Sequence, residues 1–339
     1  MRRHSPLWAV LRAGSSLGLM LAALLLITFL ISSAAPIDPV LKVVGDRATP
    51  EAYAKAKTEL GLDKPLHLQF VAFAQKALVG DLGSSTSTGR KVVEDLKQYF
   101  PATLELATAG ILIGILFGVP LGILAAHHHN RWVDQLLRVV CLIGYSVPVF
   151  WLGLIGLLVF YAKLGWVAGP GRLDDAFLYT LQTWSNIVLV DALRAGNMEA
   201  ARNGAMHLLL PATLLGYFSL AYISRMTRAF FLEELSKEYV LTARIKGASE
   251  LRVLLVHVLP NVLAPLVTVI ALSYGVLLEG AVLTETVFSW PGIGLYITNA
   301  LFSADLAAVL GGTLLVGLCF VLLNTASDLF GYLVDPRIR

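Results

Sequence analysis

Six stretches of this sequence are long, apolar and nearly free of charge, and they limit what the chain can fold into more than any other feature. They are Ala13–Ile37, Leu106–Val133 (interrupted only by Arg131), Val139–Ala162, Leu208–Ser224, Asn261–Leu278 and Leu306–Ser327. A helix needs about 20 mostly apolar residues to cross a bilayer core. Hydrocarbon offers no partner to a bare peptide group, so such stretches cross as helices. The expectation is an all-α polytopic membrane protein with six transmembrane helices. Composition agrees, with 57% of residues hydrophobic and 14% charged, where soluble domains carry about 25% charge. A net charge of +3 is too small for a nucleic-acid footprint, so no nucleic-acid partner is expected. Both cysteines, Cys141 and Cys319, sit inside apolar runs, which speaks against a disulfide framework or a CxxC metal site.

The basic residues set the orientation. Arg2, Arg3, Arg12, Arg131, Arg138, Arg225, Arg228, Lys237, Arg244, Lys246, Arg252, Arg337 and Arg339 fall in segments on one side. Lys163, Arg172, Arg194 and Arg202 fall on the other. The positive-inside rule then puts both termini in the cytoplasm. Residues 32–100 carry both signs and are long enough to be exempt from that rule; they read as an extracytoplasmic insert between the first two spans. Ser32-Ser33-Ala34-Ala35 has the look of a signal-peptide cleavage site, but the apolar run from Leu7 to Ile31 exceeds a usual signal core, and a retained anchor is the reading. The layout is an N-terminal tail and first helix (1–31), the insert (32–100), and a core domain (101–339). The core's spans fall at about 102–126, 137–162, 207–230, 261–283 and 306–331, with a cytoplasmic loop at 231–260.

Gly114, Gly118 and Gly122 recur every fourth residue, which places small residues on one helix face and lets a neighbouring helix come close. Pro148, with Gly144 before it, predicts a kink in the third span, of the kind that suits a helix lining a cavity. Glu105, Glu279, Glu285 and Asp328 lie in or near spans, where a carboxylate is costly unless it meets water or a partner; all four fall near span ends, within reach of interfacial water. His127, His128 and His129 are adjacent, so their rings do not converge on one helix face, and a solvated turn is favoured over a metal site.

The loop at 231–260 is patterned rather than merely polar. Ser236 is placed to cap a short helix with Glu238 in its first turn. Tyr239, Val240, Ala243 and Ile245 give it an apolar stripe, and Gly247 ends it. A second short helix is expected to start at Ser249, to carry Leu251, Leu254, Leu255 and Val258, and to stop at Pro260. The result is a helix–glycine–helix elbow along the membrane surface, read either as an interfacial connector or as a lever gripped by a cytosolic partner.

Thr242-Ala243-Arg244-Ile245-Lys246-Gly247, followed after nine residues by His257-Val258-Leu259-Pro260, resembles the EAA signature of bacterial ABC importer permeases. Leu241 and His257 stand where the strict signature has glutamate and isoleucine, as is usual in the peptide-transporter branch. More of the chain is similar to that branch: Leu60–Pro65, Gly80–Ser85, Phe100–Leu106, Gly144–Trp151, Leu283–Gly294 and the closing Asp335-Pro336-Arg337. Pro36-Ile37-Asp38-Pro39 departs from its early Pro-Gly-Asp-Pro. The resemblance implies the type I (MetI-like) permease fold of the dipeptide/oligopeptide importer group, in a bacterial inner membrane. It also implies a heterodimer with a second homologous permease, two cytosolic ATPases holding ATP and Mg, an external substrate-binding protein, and a peptide as cargo.

No phosphate loop of the Gly-x4-Gly-Lys-Ser/Thr type, no HExxH and no GxSxG occurs, so neither ATP hydrolysis nor a metal or serine hydrolase motif is carried by this chain, and no cofactor is expected on it. On this reading Glu238, Ala243, Arg244, Lys246, Gly247, Leu259 and Pro260 couple to the ATPase. Glu105, Glu279, Glu285, Ser289 and Trp290 are candidates for the translocation path. Other cargoes of similar permeases (nickel complexes, glutathione, opines, antimicrobial peptides) stay open, as does a proton-driven carrier using Glu279 or Glu285. A carrier of that type usually shows two matching halves, which this sequence lacks.

Overall fold

The computed structural model describes residues 6–34, 38–45 and 47–334. Arg2, Arg3, Arg337, Arg339, the closing Asp335-Pro336-Arg337, and Ala35, Pro36 and Ile37 lie outside the described residues, as does the side chain of Asp328. The described residues are helical, with a lone β-bridge between Ser84 and Lys91.

In chain order come α1 (Pro6–Ala34), three short helices α2 (Pro39–Val44), α3 (Pro50–Glu59) and α4 (Leu66–Leu78), and the long α5 (Val92–His127). Next are α6 (Trp132–Ser146) and α7 (Val149–Gly156), the latter widening into π turns over Leu157–Lys163. The short α8 (Asp175–Leu178) and α9 (Val188–Arg194) precede the long α10 (Met198–Leu235). Then come α11 (Glu238–Ile245), α12 (Glu250–Arg252), a π-helical stretch Val253–Val258, α13 (Leu259–Val287), α14 (Ile293–Phe302) and α15 (Leu306–Val334).

Among the described residues, four helices are long and apolar enough to cross a membrane: Val92–His127, Met198–Leu235, Glu250–Val287 and Leu306–Ser327. The pair Trp132–Ser146 and Val149–Lys163 makes a fifth if counted as one span. The chain is therefore a multi-pass helical membrane protein. The expected first span falls in α1, whose apolar part, Leu17–Ile31, is too short to count with these, so at most five of the six expected spans are found among the described residues.

The expected kink at Pro148 is a break. The two halves of the third span meet at 97°, because proline brings no N–H and forces Val147 into extended backbone (ψ 128°). The helix that carries the expected second span begins before the charge-free run: α5 starts at Val92. Its first residues are charged but amphipathic, so a search for charge-free sequence passes over them. Pro101 lies within α5, and the Lys97 carbonyl that its missing N–H leaves free accepts instead from Asn186 Nδ2 at 3.4 Å.

α5 and α10 form the central pair, with α13 packed on both and α15 outside α13. The glycine ladder explains the closeness. A Cβ on Gly114 would lie 2.7 Å from Ser219 Cβ, one on Gly118 3.1 Å from the Leu220 carbonyl, and one on Gly122 2.6 Å from both the Ser224 carbonyl and Thr227 Cβ. Beside this contact Ser219 Oγ and Ser273 Oγ, both buried, share a hydrogen bond of 2.7 Å joining α10 to α13. Buried Leu106, Ile111, Leu215, Ile223, Val262 and Leu277 complete the core.

Gly122→Val therefore forces α5 off α10. We expect a loss of about 1–3 kcal/mol from overpacking, read as a lower unfolding temperature of the detergent-solubilised protein. Gly280→Ala, where an added Cβ meets nothing within 4 Å, should leave that temperature unchanged or raise it.

Candidate functional site

The elbow is present, with two corrections at its ends. Ser236 caps no new helix: it closes α10, and its hydroxyl donates back to the Glu233 carbonyl at 2.7 Å. α11 starts after Lys237, which donates no side-chain cap. Nor does the chain stop at Pro260. The π-helical stretch Val253–Val258 runs into α13, and Pro260 falls in the first turn of that helix, where a missing N–H costs little.

Between these ends the reading from periodicity holds for Val240, Ala243, Leu254 and Val258 but not for Ile245, Leu251 and Leu255, which the helix turn carries to the exposed side at 77%, 68% and 44%. Val240 and Ala243 are buried against Phe231, Val253, Leu254 and Val258. Gly247 takes φ +84°, its N–H donates to the Arg244 carbonyl (2.9 Å), and the Ala248 N–H reaches the Ala243 carbonyl (3.1 Å). This pair of bonds is the Schellman stop, which needs a residue at ease with positive φ. Arg244 spans the bend, donating from Nε to Glu250 Oε1 at 2.8 Å and from Nη2 to Oε2 at 3.1 Å. The outward side carries Glu238, Leu241, Lys246 and Ile245, all exposed. Leu259 is half-buried and Pro260 exposed. The elbow is thus rigidly seated on one face and bare on the other.

The candidate path residues lie at the opposite end of the bundle, with Glu285 about 39 Å from Leu259 along α13 at 1.5 Å per residue. Three of them are buried in a polar cluster, so protein groups rather than interfacial water satisfy the two buried carboxylates. Thr103 Oγ1 donates to Glu285 Oε1 (2.6 Å) and accepts from the Ile293 N–H (2.8 Å). The Leu295 N–H donates to Glu285 Oε2 (2.9 Å). Trp290 Nε1 donates to the Ala102 carbonyl (2.8 Å). A Cβ on Gly292 would lie 2.2 Å from Glu285 Oε1, so only glycine lets the chain turn over this carboxylate.

One turn further along α5, Glu105 accepts from Arg172 and from the Leu189 N–H (3.0 Å). The Arg172 guanidinium also donates to the Asn186 carbonyl (2.9 Å) and lies 5.4 Å from the Trp290 ring centroid. The cluster ties α5, the end of α13, the start of α14 and the α7–α10 connection together. Glu279 and Ser289 stand outside it, both exposed, with Ser289 at φ +48° in the turn before Trp290.

Sequence reasoning missed Thr103, which it passed over as part of a motif, and Arg172, which it used only to count charge. Beside this cluster, Asp305 anchors the Ser84–Lys91 hairpin to the start of α15. Burial pushes its carboxyl up, but hydrogen bonds from Ser85 Oγ (2.6 Å), the Ser87 N–H (2.9 Å) and the Ala308 N–H outweigh this and hold it below the ordinary carboxylate value.

The described residues thus form a multi-pass membrane bundle with a buried polar cluster at one end and a capped elbow at the other. The chain belongs to the family of binding-protein-dependent transport system inner membrane components. The model of that family matches residues 118–339, and the model of its N-terminal region matches residues 8–107. The chain is similar to the probable D,D-dipeptide transport system permease protein DdpB of Escherichia coli K12, at 43% identity over 332 residues, covering 98% of this chain and 97% of that protein. It is 42% identical over 315 residues to the di/tripeptide transport system permease protein DppB of Pseudomonas aeruginosa UCBPP-PA14, covering 93% of each. With the dipeptide transport system permease protein DppB of Escherichia coli K12 it shares 40% over 318 residues, again 93% of each. All three relatives are named as permease proteins of peptide transport systems.

Glu285→Ala orphans the Thr103 hydroxyl and the Leu295 N–H, at about 1–3 kcal/mol for each buried donor left unpaired. Thermal unfolding of the solubilised protein should fall accordingly, while Glu279→Gln, at an exposed position, should leave it unchanged.

Proposed function

We propose that this chain is one of two transmembrane subunits of an ATP-driven ABC importer that brings di- or oligopeptides across a bacterial inner membrane. In this reading it has six spans, both termini in the cytoplasm, and residues 32–100 outside. A second homologous permease completes the pathway, an external binding protein delivers the peptide, and two cytosolic ATPases hold ATP and Mg. The carrying observation is the elbow: a short helix fastened by Val240 and Ala243, stopped by Gly247, with Leu241 and Ile245 bare at 60% and 77% exposure. Apolar side chains held out on a rigid bracket suit insertion into a groove of another protein.

Closure of the ATPases would move the elbow as a unit, and the helices running from it, α10 and α13, would carry the motion to the far end. ATP thus biases two states through one differential contact. Glu238, Arg244 and Lys246 supply polar contacts around the groove. At the far end Glu279 and Ser289 are accessible to a passing peptide, while Glu105, Glu285 and Trp290 fix the shape of the mouth. The sequence similarity to peptide permeases supports peptide as the cargo over metal complexes or glutathione.

Gly247→Asp and Ala243→Arg should abolish uptake of a labelled dipeptide while the protein still reaches the membrane. Normal uptake by both variants rejects coupling through the elbow. Uptake that survives ATP depletion but collapses with the proton gradient would replace this reading with a proton-driven carrier.

A further inference from the structure

At the elbow end, a cavity of about 250 Å³ opens between α6 and α10. Its wall on α6 is largely apolar, formed by Leu137, Cys141, Leu142 and Tyr145; its α10 wall carries Arg225 and Arg228. The charges in it do not cancel. Asp134, fully buried, already accepts from Arg138 Nη2 (2.6 Å), from Arg228 Nε (2.6 Å) and Nη2 (2.8 Å), and from the Asn130 N–H (2.9 Å). Two guanidinium groups thus share one carboxylate. Arg225, one turn from Arg228 on the same helix face, has no carboxylate partner among the described residues. Its guanidinium lies over the rings of Tyr145 (5.0 Å) and Tyr222 (5.8 Å), which hold the charge in place without neutralising it. The cavity therefore carries an excess of two positive charges beside an apolar wall.

The surface leading out of this cavity is apolar too. Leu136, Val139, Leu142 and Ile143 on α6 are about half exposed or more, and Trp132 at the start of the helix is 73% exposed, as befits a tryptophan at headgroup level with aliphatic side chains below it. We infer that this is a binding site for the phosphate of an anionic phospholipid, with the phosphodiester beside Arg225 and the acyl chains along α6. A peptide fits it poorly: its amine would need a carboxylate, and the one carboxylate present is saturated. A zwitterionic lipid meets the same obstacle with its headgroup cation. Free phosphate would leave the apolar wall and the exposed face of α6 uncovered. The inference is independent of what the chain transports.

Native mass spectrometry of the full chain, purified with its companion subunits and exposed to mixed micelles of phosphatidylglycerol or phosphatidylcholine, tests it. Phosphatidylglycerol should be retained and phosphatidylcholine lost. Arg225→Gln should lower phosphatidylglycerol retention about fivefold, corresponding to the ~1 kcal/mol that one basic side chain contributes near an anionic lipid. Arg225→Lys should keep most of it, and Arg194→Gln, at the other end of the bundle, should keep all of it. Because Arg225 is exposed, the glutamine variant should unfold at the wild-type temperature; if it does not, the comparison of lysine with wild type decides, and loss of retention with lysine overturns the site. Equal retention of both lipids, or no effect of Arg225→Gln, also overturns it. Displacement by inorganic phosphate at constant ionic strength would assign the site to a free anion, and displacement by a dipeptide to the transported cargo; either result rejects the lipid.

Discussion

The close approach of α5 to α10 is the contact on which the rest of the structure depends. In lipid there is no hydrophobic force to bring two helices together, so association rests on dispersion contacts and shared hydrogen bonds. Those contacts grow only if the backbones come near each other. Gly114, Gly118 and Gly122 allow this by removing side chains where Ser219, Ile223 and Thr227 need the room. Once that pair is set, α13 has a groove to lie in, with the Ser219–Ser273 hydrogen bond to hold it there.

Polar groups then act where packing alone would not choose one arrangement. Around Glu285 and Glu105, the helix ends and loops are fixed by hydrogen bonds whose loss would strand buried donors. Asp134 does similar work near the elbow by gathering two arginines from different helices. A buried charge is costly in a bilayer, and here each one is surrounded by donors from several elements, so a slipped helix would unpair all of them at once. Specific register is the gain.

Much of the fold was legible in sequence because hydrocarbon imposes a simple rule. Uncharged runs marked the four long apolar helices and the broken fifth, four-residue glycine spacing marked the central contact, and Val240 and Ala243 before Gly247 marked the elbow. What stayed hidden depends on neighbours far along the chain. Thr103 and Glu285 are separated by 182 residues and Glu105 and Arg172 by 67, so no local pattern says that a glutamate near a span end will be enclosed by protein. The early start of α5 was hidden for another reason: Val92–Phe100 is helical yet charged, and a criterion built on absence of charge reports where lipid is, not where helix is. Pro260 misled because proline ends an α-helix from within but is tolerated in a first turn.

The π-helical stretch Val253–Val258 joins the elbow to α13. Such a widened turn holds one residue more than an α-helix needs over the same path. Removing a single residue there would let the segment relax to the ordinary pitch over the same path and leave the bracket where it is, whereas removing one from the α-helical turns of α13 would swing everything upstream by about 100° around the helix axis and draw it in by about 1.5 Å. Leu241 and Ile245 would then point in another direction while every one of their neighbours in sequence stayed the same. The azimuth at which this protein holds out its bracket is thus a matter of residue count along α13, and the widened interval Val253–Val258 is the place where the loss of one residue is best absorbed.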